Sequence, residues 1–243
     1  MIQRTSSLML ICWTLSGCGA NFLASNEAKD PAEDAAIALE RGDEDEAIKI
    51  LEEALLDDSE NPQFLSVLAA AYAQRAGIDP LSFAQGMAAQ ESGDGSGDAQ
   101  SQGSLVSLFG IMPVATEQGL LDIDKAITLL ASIPADERSA GDPFKFAIYQ
   151  TASMVLHMKI LDTDGDGQLS LEEITNLSDN SASGLLSQLA GAAAILGGES
   201  ADSATMAKAA ENIGNYQTQI DAAPGATQEE KLRNYMAQSQ STP

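Results

Sequence analysis

The chain has 243 residues, of which 36 are acidic and 12 basic, for a formal net charge of −24. A surface this acidic repels polyanions, so nucleic acid and anionic lipid headgroups are excluded as ligands on electrostatic grounds. Aromatic residues make up only 5%, Ala, Leu and Ile abound, and no run of alternating β-branched residues sits between turn dipeptides, so an all-α fold is expected rather than a β-sandwich.

In chain order, residues 1–17 hold one basic residue, Arg4, and then an apolar stretch through Leu8, Met9, Leu10, Ile11, Cys12 and Trp13. A short basic start, an apolar segment too short to span a bilayer and small residues at its end form the pattern of an export signal. Leu15, Ser16, Gly17 and Cys18 together resemble the lipobox of bacterial lipoproteins. That resemblance implies removal of residues 1–17, acylation of Cys18 by a diacylglyceryl group and an N-linked chain such as palmitate, and anchorage in the bacterial cell envelope. Gly19, rather than aspartate, after the cysteine favours the outer membrane, with the protein facing the periplasm. Cys12 leaves with the signal and Cys18 is acylated, so the mature chain has no thiol pair for a disulfide. Residues 18–30 act as a tether, and the lipid on Cys18 is the expected partner of the membrane.

Residues 43–55 place Ala47, Ile48, Leu51, Ala54 and Leu55 on one face of a helix, at the spacing of an amphipathic element. Gly42 ends the helix before it and Asp43 can cap it. Pro62 opens the next helix, with Phe64, Leu68, Ala71 and Tyr72 expected inward. Taken together, residues 31–77 resemble the tetratricopeptide repeat, a helical hairpin of about 34 residues. Ala35, Ala47 and Ala54 match its small positions, whereas Ser59 stands where the repeat has proline and the early aromatic of its first helix is missing. The resemblance implies hairpins covering 31–90, stacked as an α-solenoid, with a groove for a protein or peptide partner. Residues 91–104, rich in Gly and Ser with Asp94 and Asp98 but no closing glutamate, read as a flexible linker.

A second unit is expected over 105–199. Residues 105–115 are apolar enough to be buried, and residues 122–130 line up with 43–51, equating Asp122 with Asp43. Asp142 and Pro143 open a helix with Phe144, Ile148, Ala152 and Val155 inward, and that helix runs into an acidic loop at 162–173, DTDGDGQLSLEE. The loop resembles the EF-hand. A calcium ion takes six to eight oxygens at about 2.3–2.6 Å. The resemblance assigns Asp162, Asp164 and Asp166 as carboxylate ligands, Gln168 as a backbone carbonyl, Ser170 as a donor through water and Glu173 as the bidentate closing ligand. Gly167 provides the sharp turn, Leu169 points to the core, and Met158, Leu161, Ile174 and Leu177 are the apolar flanks of two packed helices. Residues 184–198 read as a buried helix of small residues, and the tail, 200–243, as two helices over 202–220 and 227–237 with a frayed end.

Convergent catalytic groups are missing from the motifs. The chain has one histidine, His157, on an apolar helical stretch where packing or hydrogen bonding is its expected role. No nucleophile elbow, zinc-protease, P-loop or dinucleotide glycine motif occurs, so no enzyme is expected. The expected function is that of a calcium-binding, lipid-anchored periplasmic adaptor in which the Ca²⁺ loop clips one end of the helical stack. The alternative is a solute-uptake component similar in architecture to the T-component associated with TRAP transporters, holding a small ligand. Met154 and Met158 on the entering helix raise calcium sensing as a third possibility.

Overall fold

Local sequence signals set most helix ends. The computed structural model describes residues 30–90, 105–166, 169–170, 172–173, 179–198 and 204–240. The expected signal segment, Cys18, residues 19–29 of the tether and the 91–104 linker lie outside the described residues, as do Gly167, Gln168, Ile174 and Leu177. The chain from Pro31 onward forms one compact unit. Among the described residues, regular structure is entirely helical: α1 (Pro31–Glu40), α2 (Glu44–Ala54), α3 (Pro62–Arg75), α4 (Pro80–Gln90), a 3₁₀ turn (Leu105–Gly110), α5 (Glu117–Ser132), α6 (Asp142–Lys159), α7 (Asp179–Gly198), α8 (Ala204–Ala222) and α9 (Gln228–Gln240). The fold is all-α.

Between α1 and α2 the chain reverses through Gly42, whose φ of 72 is a left-handed conformation that a side chain would disfavour. Asp43 then caps α2, its Oδ1 accepting from the Glu46 N–H at 3.3 Å. Asn61 caps α3 more fully, accepting from Gln63 and Phe64 N–H groups at 3.0 and 3.1 Å, while Pro62 occupies the first turn, where its missing N–H costs nothing. Thr116 does the same for α5, accepting from the Gly119 N–H at 3.0 Å.

Helix faces follow the apolar period. Ala47, Ile48 and Leu51 are buried on α2, with Ala54 and Leu55 half-buried. On α3 the buried set is wider, including Leu65, Leu68, Ala69, Ala71, Tyr72 and Ala73, because this helix packs on α1, α2 and α5 at once. Burying an aliphatic side chain such as Leu51 or Leu68 stabilises the fold by about 1.5–3 kcal/mol.

Packing runs in sequence along much of the chain: α1 on α2, α2 on α3, α5 on α6, α6 on α7 and α7 on α8. This is the neighbour-to-neighbour packing of a helical-repeat fold. One element departs from it. α3 packs directly on α5, and α4 leaves the row to lie against α8 and α6. The Asn212 side-chain amide on α8 donates to the Met87 carbonyl on α4 at 2.9 Å, which fixes that non-sequential pairing. α9 covers α7 and α8, and its Tyr235 hydroxyl accepts from the Leu105 N–H at 3.1 Å. Leu105, Leu108, Phe109 and Met112 are buried, whereas Val114 is exposed.

Two expectations are revised. Asp122 does not repeat the role of Asp43: it lies inside α5, nearly fully buried, and pairs with Arg75. The helical register of the second unit is therefore longer at its start than the alignment of 122–130 with 43–51 implies. α7 is not buried all round either. Ala182, Leu185, Leu186, Leu189 and Ala192 are inside, but Gly184, Ser187, Ala190 and Ala194 face water. Its small residues serve close approach on one side: a Cβ added at Gly191 would lie 3.2 Å from Gln150 Oε1 on α6.

Candidate functional site

At the end of α6 the last helical carbonyls are taken up by the Ile160 and Leu161 N–H groups, and the chain turns out into the acidic loop. Asp162, Asp164 and Asp166 bring carboxylate oxygens within 4.8 Å of one another. Two oxygens on opposite sides of a cation at 2.3–2.6 Å stand about 4.6–5.2 Å apart, so the trio is close enough together to fit within one such shell. The turn is set locally. Asp162 Oδ1 accepts from the Gly165 N–H at 2.9 Å and Asp164 Oδ1 from the Asp166 N–H at 3.1 Å. Gly165 has φ 72, so the left-handed glycine described in this loop is at its fourth position.

The bond from the Asp166 N–H favours the ionised Asp164 carboxyl. Loss of hydration and the charges of Asp166 and Glu173 oppose it and prevail, so the pKa of Asp164 is pushed up. A divalent cation would relieve that repulsion.

Glu173 is not part of the trio. It is buried and fully engaged by hydrogen bonds. Its Oε2 accepts from the Ser170 N–H and hydroxyl, both at 2.9 Å, and its Oε1 from the Thr163 N–H and hydroxyl at 2.6 and 2.8 Å. The Glu173 N–H in turn donates to Ser170 Oγ at 3.3 Å. Ser170 and Glu173 therefore form a reciprocal capping box at the start of the exiting helical turn. The Ser170 N–H, then the Thr163 and Ser170 donors, hold the Glu173 carboxyl well below its usual range, at about 2. The glutamate thus ties the first half of the loop to the second. For Glu173 to close a metal shell it would have to exchange some of these donors for the ion. Leu169 is buried at 1% exposure, tying the loop to the core.

Beside the loop, α5, α6 and α7 enclose a cleft of ≈ 550 Å³, lined among others by Asp124, His157, Ile160, Leu161, Leu185 and Gln188. Sequence reasoning missed it, although His157 was singled out. His157 Nδ1 lies 2.9 Å from the Ser153 carbonyl oxygen, and its Nε2 lies 3.9 Å from Asp124 Oδ2. The Ser153 hydroxyl donates to Asp124 Oδ1 at 2.8 Å.

A second polar cluster ties α3 to α6. The Ser66 hydroxyl donates to Asp142 Oδ1 at 2.5 Å, and the Lys145 ammonium donates to both Ser66 Oγ and Asp142 Oδ1 at 2.8 Å. The hydroxyl proton points at a carboxylate and the lysine acts as a donor, so this arrangement is a structural tie, not a nucleophile with its base.

No protein-family model matches this sequence, and no curated protein or solved structure is significantly similar to it.

Proposed function

We propose that the chain is a calcium-binding helical scaffold, anchored by lipid on Cys18 in the bacterial envelope on the periplasmic side, that holds a protein or peptide partner against its stacked hairpins. The observation that supports the metal part is the convergence of Asp162, Asp164 and Asp166 within 4.8 Å at a turn that follows the EF-hand pattern. Gln168, Ser170 and Glu173 complete the expected donor set. When bound, calcium would supply positive charge that joins the two halves of the loop. The protein's own share is to hold the three aspartates together and to keep Glu173 poised on Thr163 and Ser170.

Extracellular modules bind calcium at about 10⁻⁴–10⁻³ M. At ten times the dissociation constant the ion would stabilise the fold by about 1.4 kcal/mol, which suits a clip more than a switch. Calorimetric titration tests this directly: heat with calcium, lost in Asp162→Ala, is expected, and absence of heat in the wild type overturns the metal assignment. Retention of a partner from envelope extracts, with and without chelator, tests the adaptor role.

The cleft beside the loop favours a second reading, that of a solute-uptake component. Its volume lies within the range of about 300–1,000 Å³ usual for small-molecule sites.

A further inference from the structure

We propose that the cleft between α5, α6 and α7 binds a primary ammonium group carried on an apolar body. The inference deepens the small-ligand reading and rests on it.

The argument starts from how hydrogen-bonding capacity is distributed around the cleft. The Ser153 hydroxyl spends its hydrogen on Asp124 Oδ1. The Ser153 carbonyl can only accept, so the His157 Nδ1 that lies 2.9 Å from it carries the ring hydrogen. In the neutral imidazole, Nε2 is then an acceptor, and it stands 3.9 Å from Asp124 Oδ2. On the opposite helix, Gln188 lines the same cleft, and its Oε1 is buried with no hydrogen-bond partner among the described residues. Asp124, His157 and Gln188 therefore line one space, and among the described residues no lysine or arginine lines it.

A buried acceptor without a donor is destabilising. The site is thus short of hydrogen-bond donors and of positive charge. An ammonium offers three N–H donors and one charge. An alcohol offers one donor and no charge, and a carboxylate would meet Asp124 in a protein of net charge −24. The rest of the lining selects the ligand's other end. Ile160, Leu161 and Leu185 present apolar surface, with Ile160 38% exposed, so the body attached to the nitrogen is hydrocarbon in character.

The test uses the full chain and three probes that share a phenylethyl body: 2-phenylethylamine, 2-phenylethanol and 3-phenylpropanoate. Binding is followed by NMR at the Gln188 side-chain amide and the His157 ring. The amine is expected to bind roughly tenfold more tightly than the alcohol, because charge-assisted hydrogen bonds are about twice as strong as neutral ones. Asp124→Asn and Gln188→Met should each weaken the amine several-fold, while Glu44→Gln in the first turn of α2 should not.

Equal binding of alcohol and amine, or preference for the carboxylate, overturns the ammonium assignment but leaves a small-ligand site standing. Binding of none of the three probes overturns both readings. Amine binding that is indifferent to Asp124→Asn and Gln188→Met shows attraction by diffuse charge and also overturns the assignment.

Discussion

The Arg75 guanidinium on α3 meets the Asp122 carboxylate on α5 along its edge, with Nε to Oδ2 at 2.9 Å and Nη2 to Oδ1 at 2.7 Å. The aspartate side chain is only 3% exposed. Arg75 also reaches Asp45 on α2 at 2.7 Å and lies over the Tyr72 ring, so one side chain joins α2, α3 and α5. The Asp122 hydrogen bond raises the arginine's affinity for its proton further above the ordinary value. Planar, two-pronged pairing is the geometry in which arginine outperforms lysine.

Removing one partner of such a pair leaves the other charge stranded. Arg75→Met should lower unfolding stability by about 3 kcal/mol, and Arg75→Met with Asp122→Leu should recover most of that loss. Urea denaturation of the two variants checks this. Equal destabilisation by both would mean that packing of the arginine stem, and not charge compensation, is what matters.

Acid should loosen the contact between α3 and α6. Burial pushes the Asp142 carboxyl up, but bonds from Lys145, Ser66 and Ser139 outweigh it, and its pKa falls below the ordinary 3.8. A depressed acid stabilises the fold wherever the unfolded chain's carboxyl is ionised, and that contribution disappears as pH falls through 3.8 and below. Glu173 adds a loss of the same sign between 4.5 and about 2. The wild type should therefore lose stability below about pH 4.5, and Asp142→Asn should show a shallower decline, as measured by melting across a pH series.

Asp164 should respond in two opposite ways. Its pKa is pushed up by crowding, so its charge is unfavourable in the metal-free loop. Asp164→Asn is expected to raise the melting temperature without calcium and to weaken calcium binding, since affinity follows ligand charge. Paired melts in chelator and in calcium check both signs.

Tyr149 is wholly buried on α6, and its hydroxyl finds no partner among the described residues. Burial accordingly drives its pKa far up. Tyr149→Phe removes a desolvated group without opening a cavity, so stability should rise by about 1 kcal/mol. A loss of similar size would instead reveal a hydrogen bond to water.

The helices of the first hairpin could be read from the chain because their signals are local: Gly42, Asp43, Asn61 and Pro62 each act within one turn. The three aspartates of the loop were legible for the same reason. The capping box was also written in the spacing of Ser170 and Glu173, but the metal pattern claimed the same glutamate first. Asp122 misled because an aspartate before an apolar stripe has two meanings, helix cap or buried ion-pair partner, and Arg75 lies far away in sequence. The cleft was illegible, since Asp124, His157 and Gln188 come from three helices and none is unusual alone.

The seating of α4 on α8, pinned by Asn212 on Met87, bears on how the polypeptide is made. An open array can gain or lose units, and an early portion can settle before a late one is synthesised. Here the early helix α4 waits for a segment near the end of the chain. A chain cut after α7 would leave Phe83, Ala84 and Met87, all inside the finished core, without their covering helix. Such fragments should be prey for proteases, and natural length variation should fall in loops instead of whole hairpins.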